Sequence, residues 1–479
     1  MTDPIFAALE ADATHDSASL FVDLAAGDLA GTATGDGPVS TARSPAELAH
    51  RFDEPLPRDG SPLARVTERI ARDVLSDMNR LAHPMAMGHQ VSAPLPAAIW
   101  ADMVVSAMNQ SLAVSEMSPS LTAVETRLVR WMCDLAGFAS GAGGTLTSGG
   151  TEATLSALLA ARARAMPEAW ASGVRAANAV VVHGEHAHYA VSRAIGQLGL
   201  GTRNAIAVPS RDHRMDVAAL DRVLGEQTAL GARVIAVVAT AGSTATGSFD
   251  DLDAIGHVCE PRGVWLHIDG AHGASALLSA RHRHRLRGLE RADSVAWDPH
   301  KMMLMPLAAG MLLVRDERAL ERAFSQEAPY LFHGGDLERA SDQGTRSFMC
   351  SRRADALKLW VALQRYGADG IGTLYDHLCD VTRALHDAVR ESVDFVALHE
   401  PECNILCFRW VGDRTRDDEA LDAINRQLRE RYNESGRGWI TTTVLGGRRV
   451  LRVTVMNPRT TAAHAAAVLD GLRLVAAEL

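Results

Sequence analysis

Four short runs of unbroken apolar residues constrain this chain more than any other feature: "ANAVVVHG", "ARVIAVVATAG", "GVWLHIDGAHG" and "AGMLLVRD". Each is rich in β-branched residues or alanine, and each stops at a turn signal. A strand with one wet face alternates apolar and polar residues, whereas a strand covered on both faces does not. Helical patterns fall between the runs, over residues 151–166 and 251–260. Strand, helix, strand with continuous apolar strands implies an α/β fold, a mostly parallel central sheet with helices on both faces. Ligands in such sheets sit beyond the carboxyl ends of the strands.

The flanking segments read differently. Residues 24–45 are small, polar and Gly-rich, the pattern of a mobile linker. Over residues 62–81 apolar side chains recur at helical spacing (Leu63, Val66, Ile70, Val74, Leu75, Met78), which predicts an amphipathic helix. After about residue 370 a long helix over 372–391 precedes weaker strands in "VDFVALHE", "NILCFRWVG" and "RRVLRVTVMN", and a helix over 461–479 closes the chain. At 479 residues the chain is long for one domain. The expected division is an N-terminal segment (1–95), a large ligand-binding domain (96–370) and a small α+β domain (371–479).

Charge and composition exclude several classes. Of the net charge of −10, most lies in residues 1–60, with eleven Asp/Glu against three Arg. No basic stripe is left for a nucleic-acid backbone. No apolar run reaches the roughly 18 residues of a membrane helix. The six cysteines form no CxxC pair, so a reducing, cytoplasmic setting is expected.

Four features could carry chemistry. The run "WLHIDGAHG" ends in Asp269, a carboxylate at the end of a buried strand. It is either a structural pair or cap, or a partner for a cationic ligand. Ser148, Gly149, Gly150 and Thr151 precede a strong helix, and exposed N–H groups at a helix start suit an anion or merely cap the helix. "VVHGEHAHYA" places His188 just after a strand; its histidine spacing is poor evidence for a metal, and none is expected. Lys301 stands in "SVAWDPHKMMLMP", where apolar company favours a neutral, nucleophilic amine, unless its stem only packs on Met302 and Met303. Taken together they match the needs of pyridoxal phosphate: a lysine for the aldehyde, an acid for the ring nitrogen and a loop for the phosphate.

At these residues the chain resembles the group II pyridoxal-phosphate-dependent amino-acid decarboxylases, from about His83 to the C-terminus. The family's Asn-Pro-His-Lys reads here Asp298-Pro299-His300-Lys301, and its Asp-Ala-Ala reads Asp269-Gly270-Ala271. The resemblance implies fold type I and a Schiff base on Lys301. It makes Asp269 the partner of the ring nitrogen, Ala271 a contact below the ring and His188 a stacked imidazole. It places Gly149, Gly150, Thr151, Thr244, Asp298 and His300 around the cofactor. Tyr330, in a loop with Gly334 and Gly335, matches the proton donor; Arg452 matches a residue that binds substrate carboxylate. Gln90 and His89 are polar groups available to the substrate's distal end.

Two positions depart from the pattern: Asp298 replaces the commoner Asn, and His272 replaces an aromatic residue. The expected activity is decarboxylation of an L-amino acid to its amine. An acidic or short polar substrate (glutamate, aspartate, cysteine sulfinate) comes first. Diaminobutyrate, an aliphatic or aromatic amino acid, oxidative deamination and transamination stay open, as does a binding subunit without activity. The resemblance also implies a homodimer with the active site at the subunit interface, and the helix over 62–81 is expected to pack on the partner.

Overall fold

The computed structural model describes residues 4–41, 43–174, 178–324, 326, 328, 331–332 and 341–479. These fall into two compact units. The larger comprises Gln90–Arg383 and His399–Leu406; the smaller comprises Met1–His89, Ala384–Leu398 and Cys407–Leu479.

The larger unit is built on a seven-stranded sheet. Its strands are β1 (Gly143–Thr147), β2 (Ala179–Gly184), β3 (Ala205–Val208), β6 (Arg233–Thr240), β7 (Trp265–Asp269), β8 (Ser294–Trp297) and β9 (Gly310–Val314). Two-residue strands β4 (Ser210–Arg211) and β5 (Arg214–Met215) form a separate ribbon. The order is β1-β9-β8-β7-β6-β2-β3, parallel from β8 through β3, with β9 antiparallel to both neighbours. The apolar runs are these strands. Val181, Val182, Ala236, Val237, Val238, Ile268, Val295 and Leu312 are fully buried, as expected for a sheet covered on both faces. Helix Gly150–Ala165 lies across it, its Ala153, Ala157 and Ala161 packed in a core with Leu312, Ala296 and Ile235. Alanines at that spacing let a helix approach a sheet closely.

The register brings the strand ends together. Thr240 pairs with Asp269, and Asp269 with Ala296, one residue before Trp297 ends β8. The site therefore collects at the carboxyl ends of β6, β7 and β8.

In the smaller unit β10 (Phe395–Ala397), β11 (Ile405–Trp410), β12 (Thr441–Leu445) and β13 (Arg448–Thr454) form a sheet in the order β10-β11-β13-β12. Helices Asp418–Glu434 and Ala462–Ala476 belong to this unit.

Three segments correct the sequence reading. Residues expected as a linker from 24 onward are helical to Ala33, in a helix that starts at His15 under a Thr14 cap. Leu24, Ala25, Ala26, Leu29 and Ala30 are good helix formers that offset the roughly 1 kcal/mol cost of each glycine. The segment over 62–81 is helical but not uniform: an α-helix at Leu63–Arg69, a wider π turn at Ile70–Val74 and a tight 3-10 turn at Leu75–Asp77. A helix from Ala356 that the sequence reading did not anticipate breaks at Gly367, whose φ of 71° a side chain would oppose, and the helix beyond the break ends at Glu391 as expected.

Candidate active site

A cavity of about 410 Å³ opens at the strand ends of the larger unit. Eleven of the predicted residues line it: Gln90, Gly149, Gly150, Thr151, His188, Thr244, Asp269, Ala271, Asp298, His300 and Lys301. Most of them follow the carboxyl ends of β1, β2, β6, β7 and β8, which lie on one side of the sheet.

Lys301 sits in the turn between β8 and β9. The turn closes by its own backbone, with Lys301 N–H donating to Asp298 O at 2.9 Å and Leu304 N–H to Lys301 O at 3.0 Å. Met302, Met303, Leu304 and Met305 are buried, so the apolar residues anchor the turn while the lysine side chain keeps 19% exposure into the cavity. Its Nζ lies 3.2 Å from Asp298 Oδ2. His300 Nδ1 accepts from Ala309 N–H at 3.1 Å, which leaves the ring proton on Nε2, 3.5 Å from the same Oδ2. Burial pushes the His300 pKa down, so the neutral ring is the favoured form.

Asp269 ends β7 and is almost wholly buried; its Oδ1 accepts from Ala271 N–H at 3.2 Å. Two residues earlier on the same strand face, His267 Nδ1 meets Ser294 Oγ at 2.9 Å and its Nε2 has no partner. Full burial pushes His267 down to about 4, so it stays neutral beneath Asp269. His188 Nδ1 accepts from Ala190 N–H at 3.2 Å, which places its proton on Nε2. Its pKa falls through burial, with Lys301 adding to the effect and Asp269 opposing it. The ring stands 4.2 Å from that of Tyr189.

The glycine loop is shaped for something that is not a side chain. A Cβ on Gly150 would sit 2.8 Å from Ala271 Cβ and 3.2 Å from Asp298 Oδ2; one on Gly149 would sit 3.1 Å from His300 Cε1. The loop opens helix Gly150–Ala165, whose first N–H groups and dipole favour an anion. Glu152 Oε2 accepts from the Ser148 N–H and hydroxyl and fixes the loop. Buried polar atoms around the cavity, Gln90 Nε2, Thr240 Oγ1 and Asp298 Oδ1, have no partner among the described residues. A cradle that a Cβ would fill, with unpartnered polar atoms and a lysine facing an acid, fits pyridoxal phosphate.

The chain matches the pyridoxal-dependent decarboxylase conserved domain over residues 45–411. It belongs to that family. This decarboxylase is 35% identical to the L-2,4-diaminobutyrate decarboxylase of Rhizobium meliloti, over 89% of this chain and 84% of the relative. It is 32% identical to the cysteine sulfinic acid decarboxylase of Rattus norvegicus, over 87% and 86%. A crystal structure of mouse CSAD superposes with a TM-score of 0.89 at 30% identity, covering 95% of this chain and 98% of the other. The decarboxylase is therefore an amino-acid carboxy-lyase of the pyridoxal-phosphate fold, and pyridoxal phosphate is its cofactor.

Three predicted residues are not among those described at the cavity. Tyr330, with Gly334 and Gly335, lies outside the described residues. Arg452 and His89 belong to the smaller unit. Arg452, on β13 opposite Thr441, is buried, which pulls its guanidinium below its usual value. His89 faces Trp439 at 5.1 Å, and its pKa is lowered by partial burial, then by Arg452 and Arg429. The sequence reading missed Thr240 and gave His272 no role. Thr240 ends β6, a position whose signal is only its place after five buried residues. His272 Nε2 donates to Asn404 Oδ1 at 2.7 Å, a link across 132 positions.

Proposed function

We propose that the cavity decarboxylates an acidic or short polar L-amino acid, with cysteine sulfinate, aspartate and glutamate foremost. The observation that carries the reading is Lys301, held at one wall of a cavity whose other walls are a buried acid, an imidazole and a glycine loop. Pyridoxal phosphate, when bound, supplies a ring that takes up the electron pair left as carbon dioxide departs. Lys301 would hold the aldehyde and yield it to the substrate amine. Asp269, held by the Ala271 N–H, would pair with the ring nitrogen and keep a proton there. His188, with its proton on Nε2, offers a donor to the reacting carboxylate. The N–H groups after Gly149 would hold the phosphate. Tyr330 would return a proton to the substrate Cα.

Gln90 Nε2, buried and without a partner, is a donor available to a distal carboxylate or sulfinate. Arg452, by family likeness, and His89, as a polar group, are assigned to the same substrate group. The relatives that act on cysteine sulfinate support this choice, while the diaminobutyrate relative keeps a cationic side chain as the second reading. We also propose a cytoplasmic homodimer. Ile5, Phe6, Leu9, Phe21, Val66, Val74 and Met78 leave large apolar surfaces exposed on the N-terminal helical segments, as a face covered by a second copy would. Carbon dioxide release should be screened across the proteinogenic amino acids, diaminobutyrate and cysteine sulfinate. Release from acidic substrates supports the reading; release confined to diaminobutyrate or to aromatic acids overturns it.

A further inference from the structure

Asp298 sets a carboxylate directly against Gly150 of the glycine loop. It follows the last residue of β8, and its backbone N–H donates to Ala271 O at 3.0 Å. The side chain is 2% exposed. Oδ2 faces three things at once: Lys301 Nζ at 3.2 Å, His300 Nε2 at 3.5 Å and the space above Gly150. Oδ1 is buried and accepts nothing. A buried carboxylate with one oxygen unpartnered is costly unless a cation stands beside it, and Lys301 is that cation.

We propose that Asp298 is a positioning residue, the seat that holds the Lys301 amine whenever it is not covalently engaged. The inference rests on the pyridoxal-phosphate reading of this site. While seated, the amine is held as an ammonium against the glycine loop, pointed at the place where an aldehyde must arrive. Once the amine is engaged, Asp298 loses its cation and faces the phosphate, a like charge, across the same glycines. An amide at 298 would neither hold the ammonium in this way nor oppose the phosphate. The carboxylate therefore holds the lysine in place, in a contact that must break before the amine engages, and lowers the affinity of the loop for anions.

The test uses the full chain stripped of cofactor, wild type against Asp298→Asn, with two readouts that do not involve turnover. The first is calorimetric binding of inorganic phosphate. The second is labelling of Lys301 by pyridoxal, which lacks the phosphate: the amine and the aldehyde join with loss of water, borohydride supplies hydride to reduce the bond, and the product is mapped by mass. The variant is expected to bind phosphate tighter and to label faster, each on the order of fivefold or more, because one removed charge near two others shifts such equilibria by that amount. A purely structural role would move the melting temperature and neither readout. Asp298→Ser replaces the amide variant should the latter not fold. A change under twofold in either readout overturns the proposal. Failure of the wild-type chain to take up pyridoxal phosphate overturns the functional reading instead, so the two failures are distinct.

Discussion

Two carboxylate–cation pairs of the larger unit, Glu125–Arg352 and Asp298–Lys301, are built differently. Glu125 and Arg352 are closed: the guanidinium donates twice, Nη1 to Oε2 at 2.9 Å and Nη2 to Oε1 at 2.6 Å, and Leu146 N–H adds a weaker bond at 3.4 Å. Both carboxylate oxygens are satisfied. Asp298 and Lys301 are open: a single contact, an orphaned Oδ1 and a cavity on one side. Both pairs bear the desolvation cost of buried charge. Only the closed one recovers it through planar, two-pronged geometry. The open pair leaves its charges available, which distinguishes a working site from a structural clamp.

The largest expected effect breaks the open pair. Lys301→Ala should abolish the absorbance band of the lysine-linked cofactor near ~420 nm and lower decarboxylation by on the order of 10⁴-fold, with little loss of stability. Breaking the closed pair should do the reverse. Arg352→Ala strands Glu125 and should cost about 3–5 kcal/mol in denaturant unfolding, whereas replacing both partners with apolar residues should recover most of it. If the double change is as damaging as the single one, the closed pair is more than a clamp.

A third prediction concerns acid. His267 titrates near its ordinary 6.5 when unfolded and at about 4 when folded. Between those values the unfolded chain holds a proton that the folded one lacks, so stability falls as pH drops from 6.5 toward 4. The loss is roughly 3 kcal/mol by the two limits. His267→Asn should remove about one proton from the pH slope of unfolding in that window; an unchanged slope would place the acid sensitivity elsewhere. The smallest effect belongs to an exposed pair. Arg281 donates twice to Asp380, at 2.8 and 2.6 Å, with both side chains about half exposed. Arg281→Ala should cost only ~0.2–1 kcal/mol, less at high salt. A larger loss would show that geometry alone, without burial, makes a strong clamp.

The open site was legible in the sequence because its parts are local. Lys301, His300 and Asp298 share one turn, Gly149 and Gly150 open one helix, and Asp269 ends one apolar run. The parallel sheet was legible for the same reason, since covering both faces of a strand leaves no polar alternation. The closed pair was not, because its partners stand 227 positions apart and neither sits in a motif. Helix His15–Ala33 was obscured by glycines, which depress a local helix signal. Strand β12 was missed although Gly446 and Gly447, with φ of 55° and 79°, make the two-residue turn that "VLGGRRV" announces. Thr240 escaped notice because a hydroxyl at a strand end carries no chemical signal until its partners are known.

The hydrogen bond from His272 to Asn404 has a practical consequence for anyone cutting this chain. After Arg383 the backbone leaves the larger unit, and it returns for the stretch His399–Leu406 before departing again. Asn404 lies in that return. A fragment ending at residue 383 would contain every strand of the seven-stranded sheet and every described cavity residue, yet it would leave the imidazole of His272 without its acceptor at the cavity wall. Fragments, split-protein reporters and circular permutants of this enzyme therefore need to carry the short return segment, however dispensable it looks on a linear map.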